Sequence, residues 1–162
     1  MVKLPMIAQL HARGKEREIS RIVFPRIRLF WLSYVALALA AVLFGEPVLR
    51  GLLHSKTSLL PTPLLIALFV FTGLEGHHGI FRELAMTAHR NPFARPVVIS
   101  GTLIVLLSCF FVPRIGLWAL ILSPGIVQIG FNNWWTVLVG LRSFGASIRG
   151  YGWGLLGVYP KR

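Results

Sequence analysis

A chain of 162 residues that is 55% hydrophobic and 14% charged, with a mean hydropathy of +0.70, is far more apolar than soluble domains, which run at roughly 45–50% apolar and about 25% charged. It reads as an integral membrane protein. The formal net charge of +12, from 17 Lys and Arg against five acids, would point to nucleic acid in a soluble chain. Here the basic residues lie between apolar runs, and no basic face outside those runs carries base-stacking aromatics, so the sequence argues against nucleic acid and for anionic membrane lipids.

Residues 1–27 begin "MVKLPMIAQLHARGKEREISRI", where Leu4, Ile7 and Ala8, then Ile19, Ile22 and Val23, keep helical spacing beside a basic face. That pattern predicts a cytoplasmic amphipathic helix at the membrane interface. The first 28 residues hold seven Lys or Arg and two Glu, with no small-residue cleavage site after a short apolar core. The first span is therefore expected to remain in the mature chain.

Four transmembrane helices are predicted, about 28–45, 59–81, 96–112 and 117–140, each approaching or exceeding the roughly 20 residues that cross a hydrocarbon core. Ala36, Ala38, Ala40 and Ala41 would let a neighbour approach the first closely. Pro61 and Pro63 suit the opening turn of the second. Residues 82–95 read as a short loop or partial helix with a turn at Asn91 and Pro92. Pro124 and Gly125 interrupt the fourth span and predict a kink, and Trp134 and Trp135 fit an aromatic belt. The fold class is all-α and polytopic, with a four-helix domain over 28–140. The tail, 141–162, holds six glycines and prolines among its 22 residues and is expected to be irregular, with Tyr151, Trp153 and Tyr159 near the headgroups.

Fourteen Lys and Arg fall in the N-terminal segment, the 82–95 loop and the tail, against three in the two alternate connections. This predicts that both termini are cytoplasmic.

The stretch "LEGHHGIF", 74–81, brings ionisable groups into the second span. Glu75, His78 and Arg82 are spaced i, i+3, i+7 and form one stripe. Adjacent histidines point about 100° apart, so His77 and His78 do not easily share an ion, and the metalloprotease spacing is absent. Cys109 is the single cysteine and the chain has no Asp. No metal, cofactor or catalytic set is expected. Two readings remain for Glu75. It pairs with a basic residue of a neighbouring helix while the histidines and Arg82 mark the interface, or it lines a pathway, since a buried ionisable group usually faces a bundle interior or watery cavity. Asn132 and Asn133 carry the same two readings, interhelical glue or substrate contact, and as consecutive amides they cannot both face one neighbour.

The order of "PMIAQLHARGKEREI", "FGEPVLRGLL", "NPFARPVVISG", "VPRIGLWAL" and "QIGFNNWW" resembles the C-terminal part of the O-antigen and other lipid-linked oligosaccharide flippases, in the multidrug, oligosaccharidyl-lipid and polysaccharide exporter superfamily. The likeness runs to about residue 145. The chain departs from the pattern at Lys15, where an acidic residue is common, and at Ala119, where glycine is frequent. A complete member of that family resembles two six-helix lobes, and this chain looks like most of one lobe, with residues 1–10 as the stub of a preceding helix. The resemblance implies a bacterial inner-membrane protein and alternating access by rocking lobes. A cationic cavity would carry an undecaprenyl-pyrophosphate-linked glycan outward, with Arg26 and Arg28 at the inner mouth and Glu75, His78, Asn132 and Asn133 deeper along the path. It also implies a missing N-terminal lobe or second membrane chain. The alternative is a small non-transporting partner of a glycosyltransferase or a polyprenyl-phosphate-binding protein.

Overall fold

The computed structural model describes residues 4–87 and 92–157, and every regular element among them is helical. Helix α1 (Leu4–Ala12) is separated from α2 (Glu16–Pro47) by a tight reversal. A short π-helical turn (Val48–Leu52) extends α2, and α3 (Thr62–Met86) and α4 (Ala94–Ile115) follow. The remaining run is α5 (Leu117–Val127), a second π-helical turn (Gln128–Asn132), α6 (Asn133–Ser143) and, after a short reversal, α7 (Ile148–Leu155).

Three of these helices are long and apolar enough to cross a membrane: α2 with its π extension, α3 and α4. The protein is membrane-embedded. The expected fourth span is not one uninterrupted helix, because its path from 117 to 143 is divided into two eleven-residue helices by the π turn. Pro124 lies just before that division, where its missing amide hydrogen has already removed a backbone bond. The expected boundary at residue 27 is not a structural break either. Helix α2 runs straight through it, so residues 16–27 are the first part of the first span's helix.

The break between α1 and α2 comes at Gly14, whose φ of +65° suits a residue without Cβ. Lys15 N–H donates to Leu10 O and Gly14 N–H to His11 O, the pair of bonds that closes a Schellman cap. The same pair recurs after α6, where Ala146 N–H donates to Leu141 O and Gly145 N–H to Arg142 O.

The tail expected to be irregular contains a helix. Ser147 caps α7 by accepting a 3.0 Å bond from Gly150 N–H, satisfying one of the amides that a helix start leaves without a partner. The chain's glycines favour this packing, since Gly154 presses directly on the Phe24 ring of α2. Ser147→Ala is expected to destabilise α7 by about 1 kcal/mol, read as faster amide exchange at Gly150 and Tyr151 with exchange in α3 unchanged.

The main core lies at the arginine-rich end of the bundle. Ile7 and Leu10 of α1 meet Ile19, Val23, Phe24 and Ile27 of α2, Phe81 and Leu84 of α3, and Val137, Leu141 and Phe144 around the end of α6. Towards the other end the helices are sparsely covered. Only 6% of the apolar windows of α2 and α4 is buried, against 28% for α3, so α3 is the central helix. It packs on α2, on α5 and along α6, while α4 packs on α5 and makes no close approach to α3 among the described residues.

Candidate functional site

Polar side chains in an apolar bundle are costly unless they find one another, and those of α3, α4, α6 and α7 do. His77, buried on α3, donates from Nδ1 to Asn133 Oδ1 of α6 at 2.9 Å. Its other ring nitrogen, Nε2, accepts from the Tyr151 hydroxyl of α7 at 2.7 Å. Both contacts are satisfied by a neutral imidazole with its proton on Nδ1. Aromatic rings enclose it: Trp31, Phe81 and Tyr151 stand 5.5, 5.2 and 6.1 Å from the imidazole, centre to centre.

Two further links run beside this one. His78 Nδ1 donates to Gln128 Oε1 at 3.3 Å, and Ser100 Oγ of α4 donates to Asn132 Oδ1. The adjacent amides thus divide between neighbours, Asn133 to α3 and Asn132 to α4. Consecutive helical residues point about 100° apart, which separates the two amides, and they straddle the end of the π turn. Gln128 and Asn132 are its two ends.

Of the residues singled out from the sequence, His78, Asn132 and Asn133 enter these links. Glu75 does not. It is exposed on α3, and the two ion pairs among the described residues, Lys15–Glu18 and Arg50–Glu46, do not involve it. The expected pairing of Glu75 with a basic residue of a neighbouring helix is thus not met among those residues. Arg82 is exposed on the same side of α3, while His78 turns from that stripe towards α5 and the π turn. Arg26 is partly buried on α2, and its buried Nη1 has no hydrogen-bond partner among the described residues. Arg28 is exposed beside Gly157 at the end of α7. Neither arginine joins the polar links among the described residues. Tyr159 and Asn91 lie outside the described residues.

Sequence reasoning missed His77 as the hub with Tyr151 as its partner, and Gln128 and Ser100 as the partners of His78 and Asn132. Gln128 and Ser100 carried a signal, as isolated polar residues in long apolar runs. Tyr151 carried none beyond its type, because its role depends on a helix that folds back 74 residues after His77. Tyr151 lies outside the spanning helices, and burial pushes its phenol up to about 12. Among the described residues no three side chains of His, Cys, Asp or Glu converge to hold a metal. Both nitrogens of His77 and Nδ1 of His78 go instead to amide and phenol oxygens.

No family model, curated protein or solved structure matches the chain.

Proposed function

We propose that this chain is one lobe of a membrane transporter, a flippase that moves an undecaprenyl-pyrophosphate-linked oligosaccharide across the bacterial inner membrane for surface polysaccharide biosynthesis. A second multi-span chain supplies the other lobe. In this reading α5, the π turn and α6 together form a fourth span, roughly 40 Å along 117–143, and the excess of Lys and Arg puts both termini in the cytoplasm. The observation that carries the reading is a helix interrupted within the bundle, with polar groups gathered at the interruption: Gln128, Asn132 and Asn133 meet His78, Ser100 and His77 there. Interrupted helices with exposed polar groups are how many transporters build a route through lipid. Arg26 and Arg28 at the arginine-rich end supply guanidinium groups suited to a pyrophosphate, and no covalent chemistry is called for.

A second reading is favoured by one detail. Asn133, His77 and Tyr151 are joined in a chain of hydrogen bonds, as structural glue is, and that suits a non-transporting partner of a glycosyltransferase. Transport separates the two. With the complete assembly in liposomes, replacing both Arg26 and Arg28 by glutamine should slow flipping of a polyprenyl-pyrophosphate glycan about tenfold or more, since a charge-assisted hydrogen bond contributes about 1.5–3 kcal/mol. Unchanged flipping after replacing Arg26, Arg28, His78, Asn132 and Asn133 singly and together would remove the transporter reading.

A further inference from the structure

Leu68, Thr72, Glu75, Gly79, Arg82 and Met86 recur along α3 at intervals of four and three residues, which places them on one straight line down the helix. All but Gly79 are exposed, and a Cβ added at Gly79 would meet open space. On one flank of this line stands α2, whose Tyr34 and Phe30 fill the places beside Gly73 and Gly76. On the other stand Gly125 and Gln128, in contact with Phe71 and His78. At the arginine-rich end the line opens into a groove between Arg82, Met86, Phe93, Ala94 and Val97. It is a seam with walls and no occupant among the described residues.

The middle of the seam carries a carboxyl group. Glu75 lies near the centre of a 25-residue helix that is apolar enough to span, where an ionisable side chain facing lipid is expensive and normally finds a partner. A second copy of this chain does not fit. Copies inserted in the same sense meet about a two-fold axis along the membrane normal, which would set Glu75 against Glu75 and Arg82 against Arg82, and like charges so placed repel. Charge complementarity calls for a different helix with a cation at the depth of Glu75, and the space at Gly79, one turn away, allows its backbone a close approach.

We propose that this seam is the docking face for a transmembrane helix of a second, different chain, which places a Lys, Arg or His side chain against Glu75. The proposal rests on the reading that another multi-span chain completes the assembly, and it names where that chain attaches.

The test places a photoreactive benzoylphenylalanine at position 79 of the full chain in its own membranes, with positions 39 and 98 on α2 and α4 for comparison. Position 79 should give an adduct with one helix of a different multi-span chain, mapped to within about one turn of a basic residue. Glu75→Arg should reduce that adduct about tenfold, the scale of an interhelical polar contact. Changing the mapped basic residue to Glu in the same cells should restore it. Thermal unfolding of Glu75→Arg in detergent should match the unchanged chain, which separates lost docking from lost folding. Adducts from 79 to lipid alone or to a second copy would overturn the seam. A multi-span partner captured from 39 or 98 but not from 79 would overturn it while leaving the two-lobe reading standing. No multi-span partner from any position would overturn both.

Discussion

Gly140→Ala will destabilise the protein by about 1–3 kcal/mol, and Gly79→Ala on the facing central helix will not. A Cβ at Gly140 would stand 2.9 Å from both the carbonyl oxygen and Cβ of Phe81, closer than carbon atoms pack without repulsion. Neither atom can rotate away, because one belongs to the backbone of α3 and the other is fixed to it. Helices α3 and α6 must therefore separate, and Phe81, Leu84, Val137 and Leu141 of the core lie along that contact. At Gly79 the same methyl group meets nothing within 4 Å, and the gain in helix propensity can only help. Reversible unfolding in mixed detergent, followed by tryptophan fluorescence, compares the two variants directly. Equal midpoints would mean that α3 and α6 are not held at the separation described.

His77→Leu strands two partners at once. Asn133 and Tyr151 each lose a buried hydrogen bond, at about 1–3 kcal/mol for each group left without one, and the effect should be smaller when Asn133 is also replaced by leucine. A double-substitution cycle in the same unfolding assay measures that coupling, and strict additivity would show that the bond is not formed. The phenol adds a pH dependence of fixed sign. Burial raises Tyr151 to about 12 in the folded protein from its usual 10, so between those values the folded state keeps a proton that the unfolded chain has released. Stability from this group is whole below pH 10 and is lost as the pH rises through 12. Tyr151→Phe should therefore flatten the alkaline decline in stability and abolish the tyrosinate absorbance step near 12. If that step is seen near 10 in the unchanged protein, α7 does not bury its tyrosine.

The apolar runs made the long helices legible, because 20 residues without charge have few other stable arrangements in a membrane. Their ends were harder to place. Helix α2 begins twelve residues before the predicted span at Arg28, since a basic segment beside apolar residues of helical spacing reads equally as an interfacial helix or as a span's extension. In the tail, the count of glycines masked two stronger local signals, Gly145 with its left-handed backbone and Ser147 as a cap. The divided roles of Asn132 and Asn133 followed from helical geometry alone. Which neighbours they reach did not, because Ser100 and His77 are brought to them only by tertiary packing. Glu75 shows the same limit. Its depth along α3 can be counted from the sequence, but which angular sector of α3 the rest of the chain covers depends on where α2 and α5 come to rest.

The position of the core also sets an order of assembly. Its members reach from Ile7 to Phe144, and Tyr151 and Leu155 pack against it. Each long apolar helix can enter the bilayer as it leaves the ribosome, before it has met its neighbours. Helices α2 and α3 already touch through Tyr34 and Phe69, but the core also needs α6 and α7, and contacts between residues so far apart form late. A nascent chain paused after α4 would hold three inserted helices with α6 and α7 still unmade. Until α6 and α7 emerge the protein therefore lacks part of its core and stays open to membrane quality-control proteases.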